Sequence, residues 1–77
     1  MNQLYTPTVG SDIFTADREK LGAVKEVRGN YFKVDAPMQP DYWLPARQIV
    51  EIEEGQVRLG FVNEELGLHK LAEPTGT

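Results

Sequence analysis

The segment of residues 12–35 constrains the fold most, because a helix and a pair of strands both fit its local pattern. Leu21, Val24 and Val27 recur every third residue among good helix formers, as on one face of a helix. Gly22 interrupts this run and disfavours a helix by about 1 kcal/mol relative to alanine. No capping box precedes the run, and its first turn has no apolar side chain to bury.

The dipeptide Gly29-Asn30 decides between the two structures. Both residue types tolerate the positive φ of a two-residue hairpin loop, and the next five residues alternate, with Phe32 and Val34 on the apolar face. A strand that leaves a tight hairpin needs a strand partner immediately before it. We therefore predict that residues 21–28 form a strand with a bulge, which Gly22 helps to accommodate.

The rest of the chain has the pattern of short strands separated by glycine and proline turns. The predicted elements are strands at 12–15, 41–44, 49–53 and 56–62, a helical turn at 46–48, and a short helix that Asn63 caps and that runs toward Leu71. In the strand at 49–53, Val50 and Ile52 share one face. We predict an all-β fold, a small β-barrel of five or six strands at residues 12–62, with a flexible arm at 1–11 and a short helix and tail at 63–77.

Composition limits the range of functions. The chain has 77 residues and a net charge of −4. It has no cysteine, which excludes disulfides, thiolate nucleophiles and cysteine-based metal sites. The lysines and arginines are scattered singly, which disfavours wrapping of a nucleic-acid backbone. No apolar segment approaches the roughly 20 residues of a membrane span, and the first residues lack the features of a signal peptide. We therefore expect a cytoplasmic protein without membrane insertion.

Two segments resemble a known family. Residues 17–27, DREKLGAVKEV, resemble the opening of PRC-barrel-like domains, in which a turn precedes a strand of the form (E)(K)(I/L)G-x-V. Residues 42–45, YWLP, followed by Ile49 and Val50, resemble a small uncharacterised bacterial branch of that group, DUF2171-like. The resemblance covers residues 13–62 and implies a β-barrel, alone or fused to larger proteins, that docks macromolecular partners. The family supplies no shared catalytic residues, so the resemblance implies no enzyme activity and no cofactor.

Three aromatic residues are the candidates for partner binding. Tyr42 and Trp43 are neighbours on a predicted strand, so alternation would turn one to the core and the other to solvent. Tyr31 begins the outward row of the preceding strand. Tyrosine and tryptophan are enriched at interfaces because they combine apolar area with a polar tip. The alternative is that Trp43 fills the core and Tyr42 covers its edge.

The remaining polar residues give no catalytic or metal site. His69 is the only histidine and lies near the end of the chain, where we expect it to be a surface residue. Glu51 and Glu53 share the outer face of a strand, where acids discourage pairing with other strands.

These observations predict a non-catalytic β-barrel that docks a protein partner, or that forms a homodimer, without cofactor or metal. The alternative is a barrel that binds single-stranded nucleic acid through stacked aromatic side chains.

Overall fold

The computed structural model describes residues 5–73, which form six strands and one short helix. In chain order the elements are β1 (Asp12–Phe14), β2 (Lys20–Arg28), β3 (Tyr31–Asp35), β4 (Tyr42–Pro45), a 3₁₀ turn (Ala46–Gln48), β5 (Ile49–Glu53), β6 (Gln56–Leu59), a second 3₁₀ turn (Asn63–Glu65) and α1 (Leu66–His69). The mostly β fold is confirmed, and residues 20–28 are a strand rather than a helix.

Two bulges explain why β2 has an apolar period of three. The pairing of β1 with β2 moves from Ile13–Gly22 to Phe14–Lys20, which leaves Leu21 as an extra residue. The pairing of β2 with β3 skips Lys25 in the same way. Each bulge resets the alternation of the strand. As a result Leu21 and Val24 are buried and Val27 packs against the core, at the spacing that resembled a helix.

Gly22 occupies the one position of β2 where a side chain cannot fit. Its φ is +152°, and a Cβ atom added there would lie 2.2 Å from the backbone oxygen of Asp35. The predicted role of Gly22 in accommodating the bulge therefore has a steric basis, namely the close approach of β2 to the end of β3.

Two tight turns set the register of the hairpins. Gly29 has a φ of +59°, as the first central residue of a type II′ turn requires, and Arg28 pairs directly with Tyr31. Between β5 and β6, Glu54 and Gly55 both have positive φ, the pattern of a type I′ turn.

The strands form one mixed sheet in the order β4-β3-β2-β1-β6-β5, in which only β1 and β6 are parallel within the described residues. The two edge strands, β4 and β5, are consecutive in the chain and joined by the first 3₁₀ turn. Four peptide units separate Pro45 from Ile49 and span at most about 14 Å, so the sheet must curl until its edges meet at this corner. The turn is held from both sides, since Ala46 N–H donates to Asn30 O at 2.7 Å and Gly60 N–H donates to Gln48 O at 2.9 Å.

The sheet is nevertheless not closed, which corrects the predicted barrel. Within residues 5–73 no ladder joins β4 to β5. Pro45 has no N–H to donate, and the outer edge of β4 is occupied by Leu71, whose backbone pairs with Trp43. The curled sheet encloses a single core formed from all six strands and the first 3₁₀ turn. Its buried members are Ile13, Leu21, Val24, Phe32, Val34, Ala36, Tyr42, Leu44, Ala46, Ile49, Val57, Leu59 and Phe61.

A third bulge corrects the predicted faces of β5. The pairing of β5 with β6 skips Val50, so that the inward residues are Ile49 and Ile52. Val50 is 51% exposed, whereas simple alternation grouped it with Ile52. The extra residue reverses the alternation at that point.

The C-terminal residues differ from the predicted capped helix. Asn63 begins the second 3₁₀ turn and makes no side-chain cap; Val62 takes the cap position. Instead, Asp17 Oδ1 accepts the Asn63 N–H at 3.1 Å from the distant β1–β2 turn. Helix α1 ends at His69, before Leu71 pairs with β4.

The predicted N-terminal arm lies partly outside the described residues, as do residues 74–77 of the predicted tail. Within the arm, Gly10 N–H donates to Val24 O at 2.8 Å, and Val24 N–H donates to Ser11 O at 2.9 Å. The segment just before β1 is therefore hydrogen-bonded to β2.

Candidate functional site

The outward side of β2, β3 and β4 gathers aromatic and basic side chains. Arg28 pairs across the strands with Tyr31, and Lys33 pairs with Trp43. Because directly opposed residues project from the same face, these four side chains form one surface, which we call the tryptophan face.

Trp43 is buried without being part of the core. Its side chain is 4% exposed, yet it lies outside the core cluster because it projects from the opposite side of β4. Arg28 Cζ lies 5.1 Å and Lys33 Nζ 5.6 Å from the centroid of its rings, both within the range of cation–π contacts. Arg28 also donates to Glu26 Oε2 at 3.0 Å. Flexible side chains thus supply part of the cover of Trp43.

The backbone of Trp43 is paired with the segment after α1, which we call the C-terminal strap (residues 70–73). Trp43 N–H donates to Leu71 O at 2.8 Å, and Leu71 N–H donates to Trp43 O at 2.9 Å. This pair is an isolated antiparallel bridge rather than part of a ladder. The sequence contained no indication of it, since a single apolar residue after a helix has no strand pattern.

Tyr42 and Trp43 are both buried, which corrects the expectation that one of them faces solvent. Tyr42 is 5% exposed and belongs to the core cluster. Among the described residues its hydroxyl has no hydrogen-bond partner, and burial raises its pKa to about 12. Lys70 Nζ lies 5.2 Å from its ring. The structure therefore separates Tyr42 from the other two candidates.

Tyr31 is half-buried and shares the tryptophan face with Trp43. The structure thus brings two of the three predicted partner-binding residues together. It adds Arg28 and Lys33, which the sequence did not single out because nothing in the pattern fixed how the strands pair.

A groove lies over the outward side of β1, β6 and β5, at the other end of the sheet. We call it the arginine groove; it encloses about 540 Å³ and is lined by Phe14, Arg18, Glu51, Glu53, Gln56, Val57 and Arg58. Phe14 pairs with Arg58, which in turn pairs with Glu51 and forms an ion pair with it. The acids of β5 therefore lie beside basic residues, on a solvent-exposed edge strand.

His69 is a packing residue in this structure. Its ring stacks on Phe61 with centroids 4.3 Å apart, and Gln48 Nε2 lies 3.4 Å from its Nδ1. Within residues 5–73, no three histidine or acidic side chains are grouped so that they could hold a metal ion. In the same part of the chain, no helix is long and apolar enough to cross a membrane.

Fold and surfaces together define a small, mostly β domain built on one open mixed sheet. The family described as "Uncharacterized protein conserved in bacteria (DUF2171)" matches residues 8–66, and the chain belongs to this family. The match confirms the DUF2171-like resemblance, and it spans all six strands and both 3₁₀ turns. It ends before the C-terminal strap. No match was found among curated proteins or among solved structures.

Proposed function

We propose that this domain is a non-catalytic docking module that binds another protein through the tryptophan face. The observation that carries the proposal is the position of Trp43, which lies outside the core but is hidden from solvent by parts of the same chain. A small domain stabilises itself most by placing its largest side chain in the core. Placing the only tryptophan on the outer face instead suits a binding role.

The composition of the tryptophan face supports the same function. Tryptophan, tyrosine and arginine are the residue types that contribute most to binding energy at protein interfaces. Here Trp43, Tyr31 and Arg28 lie on one sheet face. Arg28 and Lys33, which lie against the Trp43 ring, and Leu71, which bridges its backbone, are all outside the core cluster.

We further propose that the curled sheet is an opened relative of PRC-type barrels. Its edge strands β4 and β5 are adjacent in the chain, and its single core draws on every strand. An experimental structure that superimposes strand for strand on a PRC barrel would support this relationship, and a different strand order would refute it.

Binding of single-stranded nucleic acid is the second candidate function. Its support is the presence of Arg28 and Lys33 beside Trp43 and Tyr31, the combination on which bases stack in single-strand-binding barrels. The net charge of −4 and the pairing of Arg28 with Glu26 favour a protein partner instead.

Site-specific photocrosslinking in cells of the host bacterium separates these possibilities. The photoreactive residue p-benzoylphenylalanine replaces Tyr31 in one variant and Phe14 in the matched control, because both are half-buried aromatics on outward faces of the sheet. We expect a light-dependent protein adduct of defined mass from position 31 and none from position 14. An adduct of twice the chain mass would identify the partner as a second copy.

Two results would contradict the proposal. Equal adducts from both positions, or adducts from position 14 alone, would remove the tryptophan face as the docking surface. A salt-sensitive shift of a labelled oligodeoxythymidine that Lys33→Glu abolishes, without any protein adduct, would replace protein docking with nucleic-acid binding.

A further inference from the structure

The C-terminal strap occupies the outer edge of β4 but uses little of it. Within residues 5–73, Leu71 alone pairs with this edge, through the two hydrogen bonds to Trp43. On one side of this bridge, continued antiparallel pairing would place His69 opposite Pro45, but His69 is in α1 and Pro45 has no N–H. The strap therefore cannot extend the bridge toward the end of β4.

On the other side of the bridge, the same register would set Glu73 opposite Asp41. Directly opposed carboxylates repel each other and destabilise a strand pair. Lys25 Nζ lies 2.8 Å from Asp41 Oδ2 and offsets part of this repulsion. The sequence of the strap is thus poorly matched to the edge that it covers.

The strap also lies outside the residues that match the family. The family match includes β4 and ends at residue 66, before the strap begins. The edge of β4 and its tryptophan therefore belong to the matched domain, while the strap does not.

We propose that the outer edge of β4 receives an extended segment of a protein partner as a seventh strand, and that Leu71 is the stand-in for that segment within this chain. The inference rests on the proposed docking function and names its mode, which is strand addition to a sheet edge. The partner segment carries an aliphatic residue opposite Trp43 and a basic residue opposite Asp41, where this chain has Glu73. Such a segment keeps both backbone hydrogen bonds and can extend the pairing to Asp41, where an opposed Glu73 would be repelled.

Displacing the strap in the full-length chain tests this inference. Leu71→Pro removes the N–H that donates to Trp43 O, whereas Ala72→Pro introduces the same residue one position later and leaves both bonds intact. The probes are a synthetic peptide of residues 66–77 and the same peptide carrying Glu73→Lys. Fluorescence reports binding at the edge directly, because Trp43 is the only tryptophan.

We expect the Leu71→Pro protein to bind both peptides, with the Glu73→Lys peptide about threefold tighter. The wild-type and Ala72→Pro proteins should bind about tenfold more weakly or worse, because the attached strap competes. Failure of a folded Leu71→Pro protein to bind either peptide, or equal affinity for all three proteins, would overturn the inference.

A second variant keeps the test decisive if Leu71→Pro does not fold. Glu73→Lys in the full-length chain should strengthen the strap and slow hydrogen exchange at the Trp43 amide about threefold. Unchanged or faster exchange would refute the assumed register. Loss of peptide binding together with retained crosslinking at position 31 would reject strand addition while leaving the docking function standing.

Discussion

Gly22 illustrates how a single residue without a side chain fixes the path of two strands. Its φ of +152°, and the 2.2 Å that would separate an added Cβ atom from Asp35 O, leave room only for hydrogen. We expect Gly22→Ala to lower the free energy of unfolding by about 3 kcal/mol, since strain and overpacking act together. Chemical denaturation monitored by Trp43 fluorescence measures the change.

Gly55→Ala is the matched control for this substitution. Gly55 also has positive φ, at +82°, but an added Cβ would meet nothing within 4 Å. Its replacement should cost about 1 kcal/mol, the conformational term alone. Equal costs at the two positions would show that the contact with Asp35 O is unimportant.

Asp17 is a residue whose role depends on two distant parts of the chain. Its carboxylate accepts hydrogen bonds from the Thr15 hydroxyl and the Asn63 N–H, and these bonds lower its pKa, the first most strongly. Because the pKa is depressed in the folded state, the stabilisation is present above the ordinary value of 3.8 and is lost as pH falls through the folded value.

We therefore predict that Asp17→Asn destabilises the domain at neutral pH and that its difference from wild type shrinks in strong acid. Urea denaturation at several pH values measures this difference. Glu64→Gln removes an exposed acid from the 3₁₀ turn that contains Asn63 and serves as the control, with no comparable change expected. A wild-type advantage that persists unchanged in strong acid would contradict the assigned hydrogen bonds.

At the level of elements, the bulge in β5 decides which apolar residues support the core. Val50→Thr should change the free energy of unfolding by no more than about 0.5 kcal/mol, because Val50 is 51% exposed. Ile49→Ala should cost about 3 kcal/mol, because Ile49 is buried among core residues. Thermal or chemical denaturation of both variants measures the contrast. The reverse order would restore the simple alternation and remove the bulge.

The same elements show how far the sequence could predict the fold. The hairpin at Gly29, the alternation of Phe32 and Val34, and the turn at Gly55 depend on local rules, and each is confirmed. The faces of β5 depend on the position of a bulge, and the hydrogen bond from the Asn63 N–H to Asp17 joins residues far apart in sequence. No local pattern encodes these.

The candidate site was predictable only in part, for the same reason. Tyrosine and tryptophan could be selected by residue type, but their surroundings depend on strand order. Pairing of β4 with β3 places Lys33 beside Trp43, and Leu71 pairs with the Trp43 backbone on the other edge of the strand. The sequence could therefore name Trp43 but not the side of the sheet on which it lies.

At the scale of the whole molecule, the core and the tryptophan face meet across β4. Tyr42 projects into the core and Trp43 to the outside, so this edge strand is buried on both sides. It is covered inside by the core of the curled sheet and outside by the chain's own flexible side chains and strap. We therefore expect substitutions on the inner side of β4 to change the stability of the whole fold, and substitutions on its outer side to affect only the residues that pack over Trp43.

Because of Tyr42, the stability of the whole fold should depend on pH in the alkaline range. Burial raises its pKa from 10.0 to about 12, so its contribution is fully present below pH 10.0 and is lost as pH rises toward 12. This loss should amount to about 2 kcal/mol. Tyr42→Phe should abolish this alkaline loss. It should also raise the free energy of unfolding at neutral pH by about 1 kcal/mol, because it removes a buried hydroxyl that has no hydrogen-bond partner within residues 5–73.

Denaturation of the two proteins from neutral pH to pH 12 measures both effects. Tyr5→Phe is the control, since Tyr5 is 44% exposed, and that variant should keep the alkaline loss of the wild type. If Tyr42→Phe is instead less stable at neutral pH, the hydroxyl has a hydrogen-bond partner in solution.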